Sequence, residues 1–132
     1  MKLVFADTSL FVALSSPRDQ YHSAANDFAT RYRGQILTTD FVLIEVANHF
    51  SRAQDHPAFI TLIDGLHRGR RIIIPASREL FQHGVDLFMR RPDKDWSLTD
   101  CTSFVVMTDN DIKDVLTTDH HFEQAGFNNL LC

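Results

Sequence analysis

The chain has little cysteine, no long apolar run and no surplus of positive charge. Its two cysteines, Cys101 and Cys132, form no CxxC pair and no zinc-like spacing with histidine, which predicts reduced, unbridged thiols. No apolar stretch reaches the ~18 residues that a membrane-spanning helix needs. The start, "MKLVFADTSLFVAL", mimics a secretory signal, but Asp7 interrupts the apolar segment such a signal requires, so a cytoplasmic protein without membrane association is expected. A net charge of −4 and a pI near 5.9 are not those of a passive nucleic-acid binder. They do not exclude a nuclease, because carboxylates gathered around metal ions lower the net charge. No repeat, low-complexity tract or linker divides the chain, and 132 residues suffice for one domain with a sizeable core.

Against these absences stand short β-branched runs: "KLVFA" (2–6), "QILTT" (35–39), "RIIIP" (71–75), "DVLTT" (114–118) and a weaker "NNLLC" (128–132). Helical periodicity occupies 9–15, 21–33, 41–52, 57–68, 78–91, 97–108 and, briefly, 120–125. Continuous apolar strands alternating with helices predict an α/β fold with a central parallel sheet of four to five strands, covered on both faces. In such sheets ligands bind beyond the carboxyl ends of the strands. Acids stand there: Asp7 ends the first run, Asp40 the second and Asp119 the fourth.

The tetrapeptide Leu-Thr-Thr-Asp occurs twice, at 37–40 and 116–119, each time before a helical pattern. Aspartate there is a good helix cap, worth ~1 kcal/mol, and each acid taken alone can be read that way. Asp100 lies three residues after Ser97, a capping-box spacing. Glu45 and Asp100 strain that reading. Glu45 lies too far inside its helix to cap it, with His49 and Arg52 at i+4 and i+7. Asp100 lies in "SLTDCTSFVVM", apolar on nearly every face and therefore expected to be buried. A buried carboxylate is costly unless it is paired or binds a metal. Four acids around one pocket suit a hard divalent cation, Mg²⁺ or Mn²⁺, and hydrolysis of a phosphodiester.

The segments "LVFADTSLFVAL", "LTTDFVLIEVANHF", "DKDWSLTDCTSFVVM" and "VLTTDHHFEQAGF" resemble, in order, the four acidic motifs of PIN domains, most closely those of VapC-type ribonuclease toxins. The resemblance implies a PIN-like three-layer sandwich over residues 1–132 as a single nuclease domain. It makes Asp7, Glu45, Asp100 and Asp119 the catalytic, metal-binding acids, with Ser9 and Thr117 supporting them. It implies Mg²⁺ or Mn²⁺ as cofactor, RNA as substrate, a cognate antitoxin as partner, and a homodimer. On this reading Asp119 belongs to the site, while Asp40 caps the helix that presents Glu45. His120 and His121 are expected to be neighbours rather than ligands, with His121 supporting the Asp119 turn.

Basic candidates for phosphate contacts are Arg68, Arg70 and Arg71, better read as a solvated helix end, and Arg90, Arg91 and Lys94, which lead into the Asp100 motif. Trp96 is expected in the core rather than stacked on a base. Phe81, Val85 and Phe88 share a helical face, read first as core and second as a dimer or antitoxin surface. Three other acid-pocket classes fail on particular residues. A haloacid-dehalogenase-type phosphatase needs an acid at Ser9, a metal-dependent adhesion module needs serine at Phe11, and a receiver domain needs an aspartate ending "RIIIPAS". A non-catalytic module of the same fold, binding RNA or a protein, is the second reading.

Overall fold

A computed structural model describes residues 2–69 and 71–132; Arg70, one of the basic candidates, lies outside them. All five apolar runs become strands: β1 (Leu3–Ala6), β2 (Gln35–Thr39), β3 (Arg71–Ile74), β4 (Asp114–Leu116) and a two-residue β5 (Asn128–Asn129). Every pairing is parallel, in the order β3-β2-β1-β4-β5. The helices are α1 (Thr8–Ser15), α2 (His22–Arg31), α3 (Asp40–His49), α4 (His56–Arg68), α5 (Arg78–Arg90), α6 (Leu98–Asp109) and α7 (His121–Gln124). A 3-10 turn at Ala53–Asp55 was not legible as periodicity, because three residues carry none.

The order of strands determines where a ligand can bind. The chain steps outward from β1 to β2 and β3, then returns to add β4 on the other side of β1. Right-handed crossovers then put α1–α4 over one face and α5–α7 over the other. In keeping with this, α1 packs on α2 and α4, whereas α6 packs on α5 and α7. The reversal leaves a crevice beyond the carboxyl ends of β1 and β4. In register there, Ala6 pairs with Leu116, and the Asp7 N–H donates to the Leu116 carbonyl at 3.2 Å. Asp7 is thereby set beside Thr117.

Apolar packing holds this edge rigid. Phe5 and Phe122 are fully buried, and Phe122 meets Phe104 edge-on at 4.9 Å. Burial of each such ring contributes roughly 1.5–3 kcal/mol. Trp96 is in the core as expected, edge-on to Phe104 at 5.0 Å, with its indole N–H donating to Gln124 Oε1. Helix α6 is buried on nearly every face, including Asp100, Thr102 and Ser103. It lies so close to α5 that a Cβ on Gly84 would fall 2.5 Å from Thr102 Cγ2.

Two expectations need correction. Asp40 does not cap α3: Thr39 is the cap, its Oγ1 accepting the Val42 N–H at 3.1 Å. A capping residue needs extended backbone, and the extended β2 strand ends on Thr39, one residue before the expected cap. Asp40 instead accepts the Ala76 N–H at 3.0 Å, tying α3 to the segment after β3. On α5 the buried residues are Leu80 and Gly84, so the Phe81–Val85–Phe88 face is not core throughout; Phe88 is 49% exposed.

Candidate active site

At the switch point lies a pocket of about 390 Å³ that Asp7, Glu45, Asp100 and Asp119 all line, with Ser9 beside them. Asp7 ends β1 and is buried. It occupies the cap position of α1, yet its carboxylate makes no capping bond. Its Oδ2 accepts instead from Thr117 Oγ1 at 2.9 Å and, at longer range, from Ser9 Oγ at 3.4 Å. Thr117 has one hydroxyl proton, and Asp7 takes it. In the 3.0 Å contact between Ser9 Oγ and Thr117 Oγ1, Ser9 is therefore the donor, its single proton shared between Thr117 and the more distant Asp7. Ser9 and Thr117 accept in turn the Thr118 and Asp119 N–H groups, both at 2.9 Å. Two hydroxyls thus lock the ends of β1 and β4 together.

Asp100 sits in the first turn of α6 in a complete capping box: Oδ2 accepts the Ser97 N–H at 3.1 Å and Ser97 Oγ accepts the Asp100 N–H at 2.9 Å. Capping and site membership are therefore not exclusive, since the capped carboxylate still faces the pocket. Asp119 Oδ1 accepts the His121 N–H at 2.9 Å, which starts α7. Glu45 projects from mid-α3, half-buried, and α3 touches α6. Asp40 does not line this pocket.

The electrostatics follow from the crowding. Burial, then the charges of Asp100 and Glu45, push Asp7 up to about 7 against the opposing Thr8 N–H and Thr117 hydroxyl. Asp100 is raised too, by burial first and by Asp119, against the Ser97 N–H and His121. Among the described residues, no lysine or arginine lines the pocket to neutralise them. Oxygen donors with unmet negative charge are what a hard divalent cation takes, so the donor set fits Mg²⁺ or Mn²⁺.

Sequence reasoning missed or under-ranked four residues here. Asp19, His49 and Asp95 also line the pocket. Asp95 stood inside the "DKDWSLTD" motif and could have been found; Asp19, in a loop, carried no signal. His121 does more than support a turn: its Nδ1 lies 3.1 Å from both Asp100 Oδ2 and Asp119 Oδ2. The tightest cluster of ligand atoms among the described residues is Asp100, Asp119 and His121, all within 4.8 Å of one another.

The basic candidates lie elsewhere. Arg91 is paired with Asp93 and stacked over Trp96, Arg90 lines a separate hollow with Asp86 and Asp109, and neither they nor Lys94 or Arg68 line the acidic pocket. Arg71 borders an apolar cavity of about 470 Å³ beside Leu10, Phe28 and Leu62. Among the described residues no acid lines that cavity, whereas the smaller pocket gathers Asp7, Glu45, Asp100 and Asp119.

A 25% identical relative over 125 residues, 95% of each chain, is the 23S rRNA-specific endonuclease VapC20 of Mycobacterium tuberculosis, found in strains CDC 1551 and H37Rv. The crystal structure of M. tuberculosis VapC20, described as a sarcin–ricin loop cleaving toxin, superposes with a TM-score of 0.88 at 24% identity, covering 96% of this chain and 98% of that one. The sheet order and the flanking helices are thus those of a solved fold. The PIN domain family model matches residues 4–128, nearly the whole sequence. The chain belongs to the PIN domain family.

Proposed function

We propose that residues 1–132 form a single divalent-metal-dependent endoribonuclease domain, the toxin of a VapBC-type pair, with Asp7, Glu45, Asp100 and Asp119 as its catalytic metal-binding acids. The observation that carries this is the convergence of four acids on a crevice with no lining lysine or arginine among the described residues, two of them held above their ordinary ionisation range. Burial of the Asp7 and Asp100 carboxylates without a lining cation costs stability; as metal ligands they have a purpose. The cation supplies charge stabilisation at a phosphoryl oxygen and an activated water. The chain's own residues supply the rest. Thr117 and Ser9 fix Asp7, the Ser97 box fixes Asp100, and the α7 turn fixes Asp119.

RNA is the substrate on this reading, and the names of the VapC20 relatives make 23S rRNA the first to test. A cognate antitoxin and a second copy of the chain are the protein partners. The exposed apolar side chains Ile44, Ile60, Phe88 and Met89 offer surface of the kind such contacts bury. Among the described residues no helix is long and apolar enough to cross a membrane, and the proposed compartment is the cytoplasm. The test is cleavage of RNA by the purified protein with Mg²⁺ or Mn²⁺, with chelator, and with metal restored. Cleavage should stop with chelator and return with metal; cleavage unaffected by chelator would overturn the reading.

A further inference from the structure

His121 opens α7, and its N–H bond to Asp119 fixes the turn that swings its ring over α6. Nδ1 then stands 3.1 Å from Asp100 Oδ2 and 3.1 Å from Asp119 Oδ2. Neighbouring ligands of an octahedral ion bound at ~2.1 Å lie ~3.0 Å apart; those of a tetrahedral ion at similar range lie ~3.4 Å apart. The two distances from Nδ1 therefore match those between adjacent ligands on one ion, and ligand atoms of all three residues lie within 4.8 Å of one another. The same spacing serves a hydrogen bond, but then one N–H must be divided between two carboxylates, a proton standing where a cation would serve both.

Asp7 is differently placed. Its Oδ2 accepts from Thr117 and Ser9, and it lines the same pocket from outside the tight three-residue cluster. The cluster around Asp100 thus adds one nitrogen to the carboxylate oxygens that line the pocket. Mg²⁺ and Mn²⁺ both take carboxylate and water oxygens, but Mn²⁺, a first-row transition ion, accepts an imidazole nitrogen among them more readily than Mg²⁺ does.

Resting on the metal-dependent reading above, we propose that His121 Nδ1 is a direct ligand of the cation beside Asp100 and Asp119, so that the site prefers Mn²⁺ to Mg²⁺. The role goes beyond the turn support read from the sequence. It also gives the histidine a chemical reason to follow Asp119 by two positions.

The test is pulsed electron paramagnetic resonance of the Mn²⁺-loaded protein, which detects nitrogen bound directly to manganese, together with calorimetric titration by Mn²⁺ and by Mg²⁺. The parent should show the nitrogen coupling, and His121→Ala should lose it. That substitution should weaken Mn²⁺ by more than about tenfold, since losing even an outer partner of a ligand costs that much. Mg²⁺ affinity should change less. His49→Ala, on the other imidazole lining the pocket, and His120→Ala should both keep the coupling. These two variants decide the matter even if His121→Ala does not fold. Manganese bound without nitrogen coupling, or coupling lost in His49→Ala or His120→Ala, overturns the assignment and leaves the metal site standing. A parent protein that binds no Mn²⁺ overturns the metal-dependent reading itself.

Discussion

Thr117 donates its hydroxyl proton to Asp7 across 110 positions of sequence, at 2.9 Å and out of solvent. This bond joins the ends of β1 and β4 where the strand order reverses, and it aims the most buried acid of the pocket. Thr117→Val keeps the shape and removes the hydroxyl. It should cost roughly 1–3 kcal/mol, because the Asp119 N–H and the Ser9 hydroxyl lose their acceptor. Thr117→Ser should recover most of it. Chemical denaturation of the three proteins checks this, and a Thr117→Val protein as stable as the parent would contradict the clamp.

Asp7 predicts a pH dependence with a definite sign. An unfolded aspartate ionises near 3.8, whereas the buried Asp7 keeps its proton up to about 7. Between those values the folded state binds more protons than the unfolded one, so metal-free stability falls as pH rises through the window. Asp7→Asn removes this dependence while still accepting from Thr117. Without metal the variant should exceed the parent at pH 8 by roughly 1–4 kcal/mol and match it near pH 4. Equal stabilities at pH 8 would show that Asp7 carries no burial cost.

Metal binding must displace that proton. The rise in melting temperature on adding Mn²⁺ should therefore be larger at pH 8 than at pH 6. A rise independent of pH would mean that the ion binds away from Asp7.

Most of the fold was legible because its signals are local. Four of the five apolar runs are β-branched blocks that the structure keeps as strands within two residues of their expected ends, and the helices likewise follow their periodicity. Three features were not legible. Thr39 rather than Asp40 caps α3, because the choice depends on where β2 stops. Asp19 reaches the pocket from a loop without any pattern. His121 bridges two acids, one of them 21 residues away, a relation that only packing of α7 against α6 creates. The convergence of the four acids on one pocket was legible because two stood at strand ends and two were in places where a cap alone made poor sense.

Gly84 tests the packing that presents Asp100. A methyl group there meets Thr102 at 2.5 Å, two residues from Asp100. Gly84→Ala gains helix propensity, yet should destabilise by about 1–3 kcal/mol through overpacking. Gly65→Ala, at an exposed position of α4 with open space around it, should be neutral or stabilising. Melting curves of the pair decide it; equal effects would refute the close α5–α6 approach.

Ligand and helix cap are different roles for an acid, and Asp100 separates the two. Asp100→Asn keeps an oxygen to accept the Ser97 N–H, so the capping box and the fold should survive. The decisive measurement is the rate of metal-dependent RNA cleavage by folded Asp100→Asn beside the parent protein. Cleavage should fall by at least about a hundredfold, with melting temperature held or raised. A folded Asp100→Asn protein that cleaves at the parent rate would contradict the ligand role.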